Sequence, residues 1–319
     1  MSITLCTINT KGLVNKNKRR QVFKYLEDKK YDIIFLQETH TDKLSCETWK
    51  NEWEGDAYFS GTKSNKEGVG FLINKLSNII CSNFRELVIG RLITLNIQIN
   101  NKDITIANIY GPNNDNINIF NILETFVSEN TEQNIIIGGD FNTVLNPLID
   151  KRNGRCDTNK KCQSLLNNII LNYSLTDIWR ENNPSLQQYT WHSNTKPVIF
   201  SRLDYFLISE YLLNTLPKCQ IKPGFKTDHS AVVLTINIAE HKRGPGYFKV
   251  NNMYLNDIDY INEMKAAINE TIDINKNCNP NTNWELIKGS IRNTSIIYAS
   301  RAKNNRKSEN KKYINKYKT

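Results

Sequence analysis

The chain has 319 residues, 39% of them hydrophobic, and a formal net charge of +10. That length suits one large domain with an extension, or two domains, and no apolar run approaches the ~18 residues of a membrane span. The seven cysteines (Cys6, Cys46, Cys81, Cys156, Cys162, Cys219 and Cys278) include no C-x-x-C pair, which argues against a zinc ribbon or redox motif and fits a reducing compartment.

The opening Met1-Ser2-Ile3-Thr4 lacks the charged and apolar regions of a secretory leader. A first strand is expected over 3–8, closed by Asn9-Thr10-Lys11-Gly12. A helix follows over 17–29, with Val22, Phe23 and Leu26 on one face. A strand over 32–37 then runs into Gln37-Glu38-Thr39. Further strands are expected over 69–73, 92–99 and 104–110, the last ending on Tyr110-Gly111-Pro112. A helix over 117–129 aligns Phe120, Leu123, Phe126 and Val127. Ile135-Ile136-Ile137 leads as a strand over 135–138 into Gly139-Asp140-Phe141-Asn142. A helix over 160–172 aligns Leu165, Leu166, Ile169 and Ile170. Strands over 203–209 and 231–238 complete the series, the last preceded by Thr227-Asp228-His229-Ser230.

Many strands with a few intervening helices suggest an α/β sandwich of two packed sheets flanked by helices. The sandwich should close near Ile238, and 241–246 reads as a linker. The expected division is 1–239 for the sandwich and 240–319 for a linker and a helical extension with patterns over 257–274 and 284–303. Arg301, Lys303, Arg306, Lys307, Lys311, Lys312, Lys316 and Lys318 stand against Glu309 alone, so +7 of the charge lies in this tail and +3 in residues 1–300. The basic tail invites nucleic acid. Its uncapped end suggests a piece of a longer protein.

The chemistry sits at strand ends. A carboxylate at Glu38 can hold Mg²⁺, which takes few carboxylates together with waters and substrate phosphate oxygens. Asn9 can supply an amide oxygen beside it, and the Tyr110 hydroxyl can reach a phosphate. Asp204 and His229 can form a dyad in which the carboxylate orients the imidazole and stabilises its charged form. Each residue alone is ordinary strand-end chemistry. Together, in this order, they are specific.

Over residues 3–238, through Asn9, Gln37-Glu38-Thr39, Tyr110-Gly111-Pro112, Gly139-Asp140-Phe141-Asn142, Arg202-Leu203-Asp204-Tyr205-Phe206 and Thr227-Asp228-His229, the sequence resembles the endonuclease/exonuclease/phosphatase superfamily. That is the fold of exonuclease III, DNase I and apurinic endonucleases. The resemblance implies a DNase I-like four-layer α/β sandwich of two mixed sheets with a cleft between the sheet tops. It implies Glu38 and Asn9 at a metal with Asp228 beside it, Asp140 aligning or deprotonating the attacking water, and Asn142 and Tyr110 at the scissile phosphate. His229, oriented by Asp204, would stabilise the charged transition state or act as the base. The cofactor implied is Mg²⁺ or Mn²⁺.

A narrower resemblance links Tyr189-Thr190-Trp191-His192-Ser193, Ser201-Arg202-Leu203-Asp204, Arg243-Gly244-Pro245-Gly246-Tyr247-Phe248-Lys249 and Asn279-Pro280 with Trp284-Glu285-Leu286 to the endonucleases of long interspersed element (LINE) retrotransposons. It implies that Thr190 and Arg202 lie at DNA, that a reverse transcriptase follows in the parent polyprotein, and that element RNA is a partner through that downstream region. Action in the nucleus after synthesis in the cytoplasm is expected. Apurinic endonucleases carry Asp where Lys11 stands and Trp where Ser201 stands, and both departures weaken the repair reading. The expected function is a metal-dependent endonuclease nicking double-stranded DNA for target-primed reverse transcription. The alternatives are an apurinic/apyrimidinic repair endonuclease, a lipid or inositol phosphatase of the same fold, and a catalytically inactive nucleic-acid-binding domain. The intact acidic and histidine set argues against the last.

Overall fold

Alternation along the central strands sorts their side chains between two faces, and this decides the architecture. The computed structural model describes residues 2–62, 66–155, 159–238, 251–276 and 278–316. In chain order come β1 (Ser2–Asn9), α1 (Lys16–Asp28), β2 (Ile33–Gln37), α2 (Lys43–Lys50), β3 (Gly55–Ser60), β4 (Val69–Asn74), β5 (Ile80–Val88), β6 (Leu92–Ile99) and β7 (Lys102–Tyr110). Then follow α3 (Asn118–Glu129), β8 (Ile135–Asp140), α4 (Pro147–Asp150), β9 (Lys151–Arg152), α5 (Lys160–Asn172), β10 (Leu175–Asp177) and α6 (Ile178–Asn182). The unit ends with β11 (Trp191–His192), β12 (Phe200–Ser201), β13 (Asp204–Ser209), α7 (Glu210–Leu213), β14 (Lys218–Lys222) and β15 (Ala231–Asn237).

One six-stranded sheet has the order β14-β15-β1-β2-β4-β3 and the other β10-β13-β8-β7-β6-β5. Ile3 and Leu5 of β1, Ile33 and Phe35 of β2, Ile136 of β8 and Phe206 and Ile208 of β13 share one core between the sheets. The alternate residues face outward. Cys6, Ile8, Ile34 and Leu36 meet Val22, Phe23 and Leu26 of α1, while Ile135, Ile137, Tyr205 and Leu207 meet Phe120, Leu123 and Phe126 of α3 and Leu166 and Ile169 of α5. The result is the four-layer sandwich expected from the sequence.

The strands and helices read from periodicity all form, with ends shifted by one to three residues in most cases. The edge strands β5 and β14 escaped that reading. β5 is exposed or half-exposed along its whole length, and β14 alternates over only Lys218–Lys222, too short a pattern to stand out.

The chain divides into two compact units, 1–240 and 241–319. The expected linker at 241–246 and the resembling segment 243–249 lie outside the described residues. In the second unit the two helical patterns form α8 (Ile258–Ile274) and α9 (Pro280–Lys316), the latter longer than expected at both ends. Asp257 caps α8 by accepting from the Asp259 N–H. Tyr254, Tyr260 and Tyr298 pack ring to ring within this unit, and the Tyr260 hydroxyl pairs with Ser295 at 2.8 Å.

A buried charge network ties α4, β10 and the start of β13 together. Arg202, 1% exposed, donates through Nε to Asp150 Oδ1 (2.7 Å) and through Nη2 to Asp177 Oδ2 (2.6 Å). Arg180 reaches the same Asp150 oxygen at 2.5 Å. This corrects the expectation for Arg202: its guanidinium is 1% exposed and is held through Nε and Nη2 by Asp150 and Asp177, so it is not at a DNA-facing surface. Burial alone would raise the Asp150 carboxyl, but Arg202 and Arg180 outweigh it and hold it below the usual carboxylate range.

Asp150→Asn should therefore lower the unfolding free energy by about 3–5 kcal/mol, the scale for removing one partner of a buried ion pair, because Asp177 alone is left to compensate Arg202. Urea unfolding at pH 7 would measure it. A depressed folded pKa contributes stability above the unfolded value of about 3.9 and loses it as pH falls through the lower folded value. The difference between the proteins should shrink below about pH 4.

Candidate active site

The topology brings six chain segments to one edge. β1 and β2 run parallel, as do β7 and β8, and Asn9, Gln37, Tyr110 and Asp140 are their last residues. β13 and β15 run antiparallel to these strands, so Asp204 begins one and Asp228 and His229 precede the other. Asp204 lies directly opposite Asp140 in register. Hydrogen bonds across the sandwich join the two edges. Asn9 Nδ2 donates to Asp140 Oδ2 at 2.9 Å, and the Thr227 hydroxyl donates to the Asn9 carbonyl at 2.8 Å.

Asp140, Asp204 and His229 form the buried heart of the site, at 1%, 0% and 7% exposure. His229 Nδ1 meets Asp204 Oδ2 at 2.8 Å, and its Nε2 stands 3.9 Å from Asp140 Oδ2. Burial opposes charging the imidazole, but the Asp204 and Asp140 carboxylates outweigh it and push its pKa up to about 9. Burial, followed by the Asp204 charge, pushes Asp140 up to about 7 against the pull of His229. An imidazolium thus sits between two carboxylates, one of them ready to take a proton near neutrality. The three side chains each offer a ligand atom within 4.8 Å of the others, so the cluster has the spacing of a metal site. The Nδ1 contact to Asp204 and the charge on the ring instead make the imidazolium the resident cation there.

Glu38 forms a second focus. It leaves β2 in the left-handed region at φ +47, which turns its carboxylate toward the end of β7. The Tyr110 hydroxyl donates to Glu38 Oε1 at 2.7 Å, and His40 Nε2 lies 3.9 Å from Oε2. Burial, reinforced by Glu38, raises the Tyr110 phenol well above its ordinary value, so it keeps its proton. The Arg91 guanidinium lies 4.3 Å over the Tyr110 ring and pairs with Glu67, fixing the ring from above. Asn142, at φ +50, donates its backbone N–H to Asp140 Oδ1 at 2.9 Å, and its side-chain Nδ2 donates to the Gly111 carbonyl at 3.0 Å. Gly139 admits no side chain, because a Cβ there would lie 2.0 Å from the Ile109 carbonyl oxygen.

Asp228 is reached by the Lys11 ammonium at 2.8 Å. Burial would raise its carboxyl, but the hydrogen bond from Lys11 outweighs this and lowers it. The predicted residues Asn9, Glu38, Tyr110, Asp140, Asn142, Asp204, Asp228 and His229 therefore gather at this edge. Arg202 does not. Thr190 is also placed otherwise than expected. It is 1% exposed, and its hydroxyl oxygen accepts the N–H groups of Leu203 (2.9 Å) and Asp204 (3.1 Å). With both lone pairs spent on backbone it holds Asp204 in place, and at 1% exposure its hydroxyl has no open path along which to donate to a DNA phosphate. His40, Arg91 and Lys18 were missed. His40, beside Glu38 and one of four histidines, carried the one signal that could have been read.

Residues 6–229 match the profile described as the Endonuclease/Exonuclease/phosphatase family. The Transposon TX1 uncharacterized 149 kDa protein of Xenopus laevis is 29% identical over 262 residues, 81% of this chain. The chain spans 20% of that protein's length. Among solved structures, the AP endonuclease LMAP from Leishmania major aligns with a TM-score of 0.63 and 17% identity, covering 75% of this chain and 88% of that one. An AP endonuclease from Archaeoglobus fulgidus aligns at 0.60 and 18%, covering 74% and 100%. At such identities these two establish the fold.

Thr190→Val should destabilise the protein, since each buried N–H left unpaired costs about 1–3 kcal/mol. Thr190→Ser should stay near wild type, with thermal unfolding as the measurement. Unchanged stability in Thr190→Val would return this residue to the DNA-contact reading.

Proposed function

The chain belongs to the endonuclease/exonuclease/phosphatase family, and we propose that it is a divalent-metal-dependent endonuclease that nicks double-stranded DNA for target-primed reverse transcription by a LINE-type element. The observation that carries the cleavage reading is the Asp204–His229–Asp140 array facing the Glu38–Tyr110 pair at one edge of two sheets. The retroelement reading rests on the likeness to the transposon protein and on the Lys11 and Ser201 departures. In this reading residues 1–239 are the nuclease. Residues 240–319 are a basic extension leading to a reverse transcriptase, with element RNA as the further partner and the nucleus as the place of action. No described helix is long and apolar enough to cross a membrane.

The donors fit a hard cation. Glu38 is a partly exposed carboxylate whose Oε2 has no hydrogen bond closer than the 3.9 Å approach of His40, and Asn9 adds an amide oxygen. Mg²⁺ or Mn²⁺ would be held there through oxygen, with waters completing the shell. When bound, it would supply charge neutralisation at the phosphate.

The protein's own groups account for the proton and the negative charge. Asp140 Oδ2, held by the Asn9 amide and with a pKa pushed up to about 7, accepts the proton of the attacking water. His229 is poorly suited to that task, because the carboxylates around it keep it protonated to about 9. It instead meets the charge developing on the phosphoryl oxygens, with Asp204 fixing its ring. Tyr110, which keeps its proton and here donates it to Glu38 Oε1, would turn that donor toward the same group once a phosphate is bound.

Plasmid nicking should stop with EDTA and return with Mg²⁺ or Mn²⁺, and Glu38→Ala should be folded and inactive. Undiminished nicking in chelator would refute the metal requirement.

His229→Ala and Asp204→Ala should each slow cleavage by about 10²-fold or more, while the double variant should be little worse than either single. Additive losses would separate the two roles.

Matched duplexes with and without one abasic site should be nicked at similar rates, with a bias toward flexible or narrow-groove steps. Abasic cleavage faster by orders of magnitude would establish the repair reading.

A further inference from the structure

We propose that the Lys11 ammonium is the resident cation of Asp228, so that a divalent ion is held from the Glu38 side alone and this chain takes one such ion rather than two. The inference rests on the metal-dependent reading above and concerns what Lys11 does to it.

The pair could be a passing surface contact. Lys11 is 52% exposed and Asp228 22%, and pairs of that kind contribute little to stability. The backbone beneath it argues otherwise. Lys11 stands in the left-handed region at φ +49, its N–H donating to Asn9 Oδ1 at 3.0 Å. Lys18 Nζ donates to its carbonyl and to that of Thr10, both at 2.8 Å. The Gly12 N–H donates to the Glu38 carbonyl at 2.7 Å, and the loop nests so closely on His40 that a Cβ on Gly12 would lie 2.7 Å from its Nδ1. The other partner is pinned to the same base. Thr227 donates to the Asn9 carbonyl and accepts the His229 N–H at 3.2 Å, which brackets Asp228 between two anchored neighbours. Both partners thus hang from Asn9, and their meeting is built into the loop.

The consequence is electrostatic. A carboxylate already neutralised by an ammonium at 2.8 Å has little field left for a divalent ion, and the ammonium repels one arriving on the same oxygens. Lys18 adds a second positive charge to the loop, and its own pKa is lowered by burial first and by Lys11 next. Among the described residues no ammonium touches Glu38, which faces Tyr110 and His40 and feels Lys18 only at Coulombic range. Lys11 is also the position where the sequence departs from the acidic residue of apurinic endonucleases, so the departure puts a cation where an acid stands in those enzymes.

Mn²⁺ binding to the full chain, followed by calorimetry and by the free-ion resonance signal, tests this without reference to cleavage. Wild type should bind one equivalent. Glu38→Gln should weaken it by about tenfold or more, the scale expected when a metal site loses a partner, while Asp228→Asn should change it by less than about twofold. Lys11→Asp should gain a second equivalent, or tighten the first by about tenfold, and that gain should vanish when Asp228→Asn is added. Circular dichroism melts confirm that each variant is folded. The proposal is overturned if Asp228→Asn weakens wild-type binding by about tenfold, or if folded Lys11→Asp binds as wild type does. If no variant shows Mn²⁺ binding sensitive to Glu38, the metal-dependent reading itself falls, which is a different result from either of these.

Discussion

The site depends on two separate sheets keeping their edges level, and one buried polar bridge sets that level. Gln37 of β2 donates to Asn108 Oδ1 of β7 at 2.7 Å and to Thr7 of β1 at 2.9 Å. Asn108 Nδ2 in turn donates to the carbonyls of Leu36 and Gly70. Both amides are 0% exposed, amid an otherwise apolar layer. A hydrophobic interface alone tolerates sliding. An amide pair whose four hydrogens are all spent does not, because any slip leaves buried donors unpaired. A one-residue shift of β2 would also turn Gln37 to the helix side and Leu36 into the sandwich. Fixing this register places Glu38 beside Tyr110, one residue beyond the bridge on β2 and two on β7.

Above that bridge the polar groups interlock rather than merely gather. Asn9 joins the sheets through Asp140, accepts Thr227 on its carbonyl and orients Lys11, so one buried residue touches the Asp140 carboxylate, the histidine loop and the Lys11 loop. Thr190 fastens the start of β13, and the isolated bridge between Trp191 and His229 draws the same segment against the histidine. The two shifts have opposite relations to burial: it raises Asp140, while it opposes charging the imidazole and is outweighed there by the Asp204 and Asp140 carboxylates.

Most of this was legible before any coordinates. The central strands carry unbroken apolar runs, so β1, β2, β7, β8, β13 and β15 announced themselves, and the motif residues lie at their ends. The edge strands β5 and β14 were illegible because the first is exposed or half-exposed throughout and the second alternates over only five residues. Arg202 and Thr190 were misread for a different reason. A sequence shows residue type and spacing, but not whether a guanidinium meets Asp150 and Asp177 or a phosphate, and those acids are 52 and 25 residues away. Lys11 was noticed as a departure, yet its partner Asp228 lies 217 residues on.

The left-handed backbone at Glu38 has a consequence for the history of such a chain. A residue with a Cβ held there is strained by about 1–2 kcal/mol relative to glycine, and asparagine tolerates the region better than glutamate does. Backbone strain alone therefore favours glycine or asparagine at position 38, and in the function proposed above the carboxylate's work is what holds glutamate there. Wherever cleavage ceases to be selected, this position has an energetic reason to drift in a particular direction. Core positions such as Phe35, two residues earlier and 0% exposed, have every reason to stay. Decayed copies of this domain would then record their loss of function as a directed substitution at a strand end, well before the sandwich itself begins to erode.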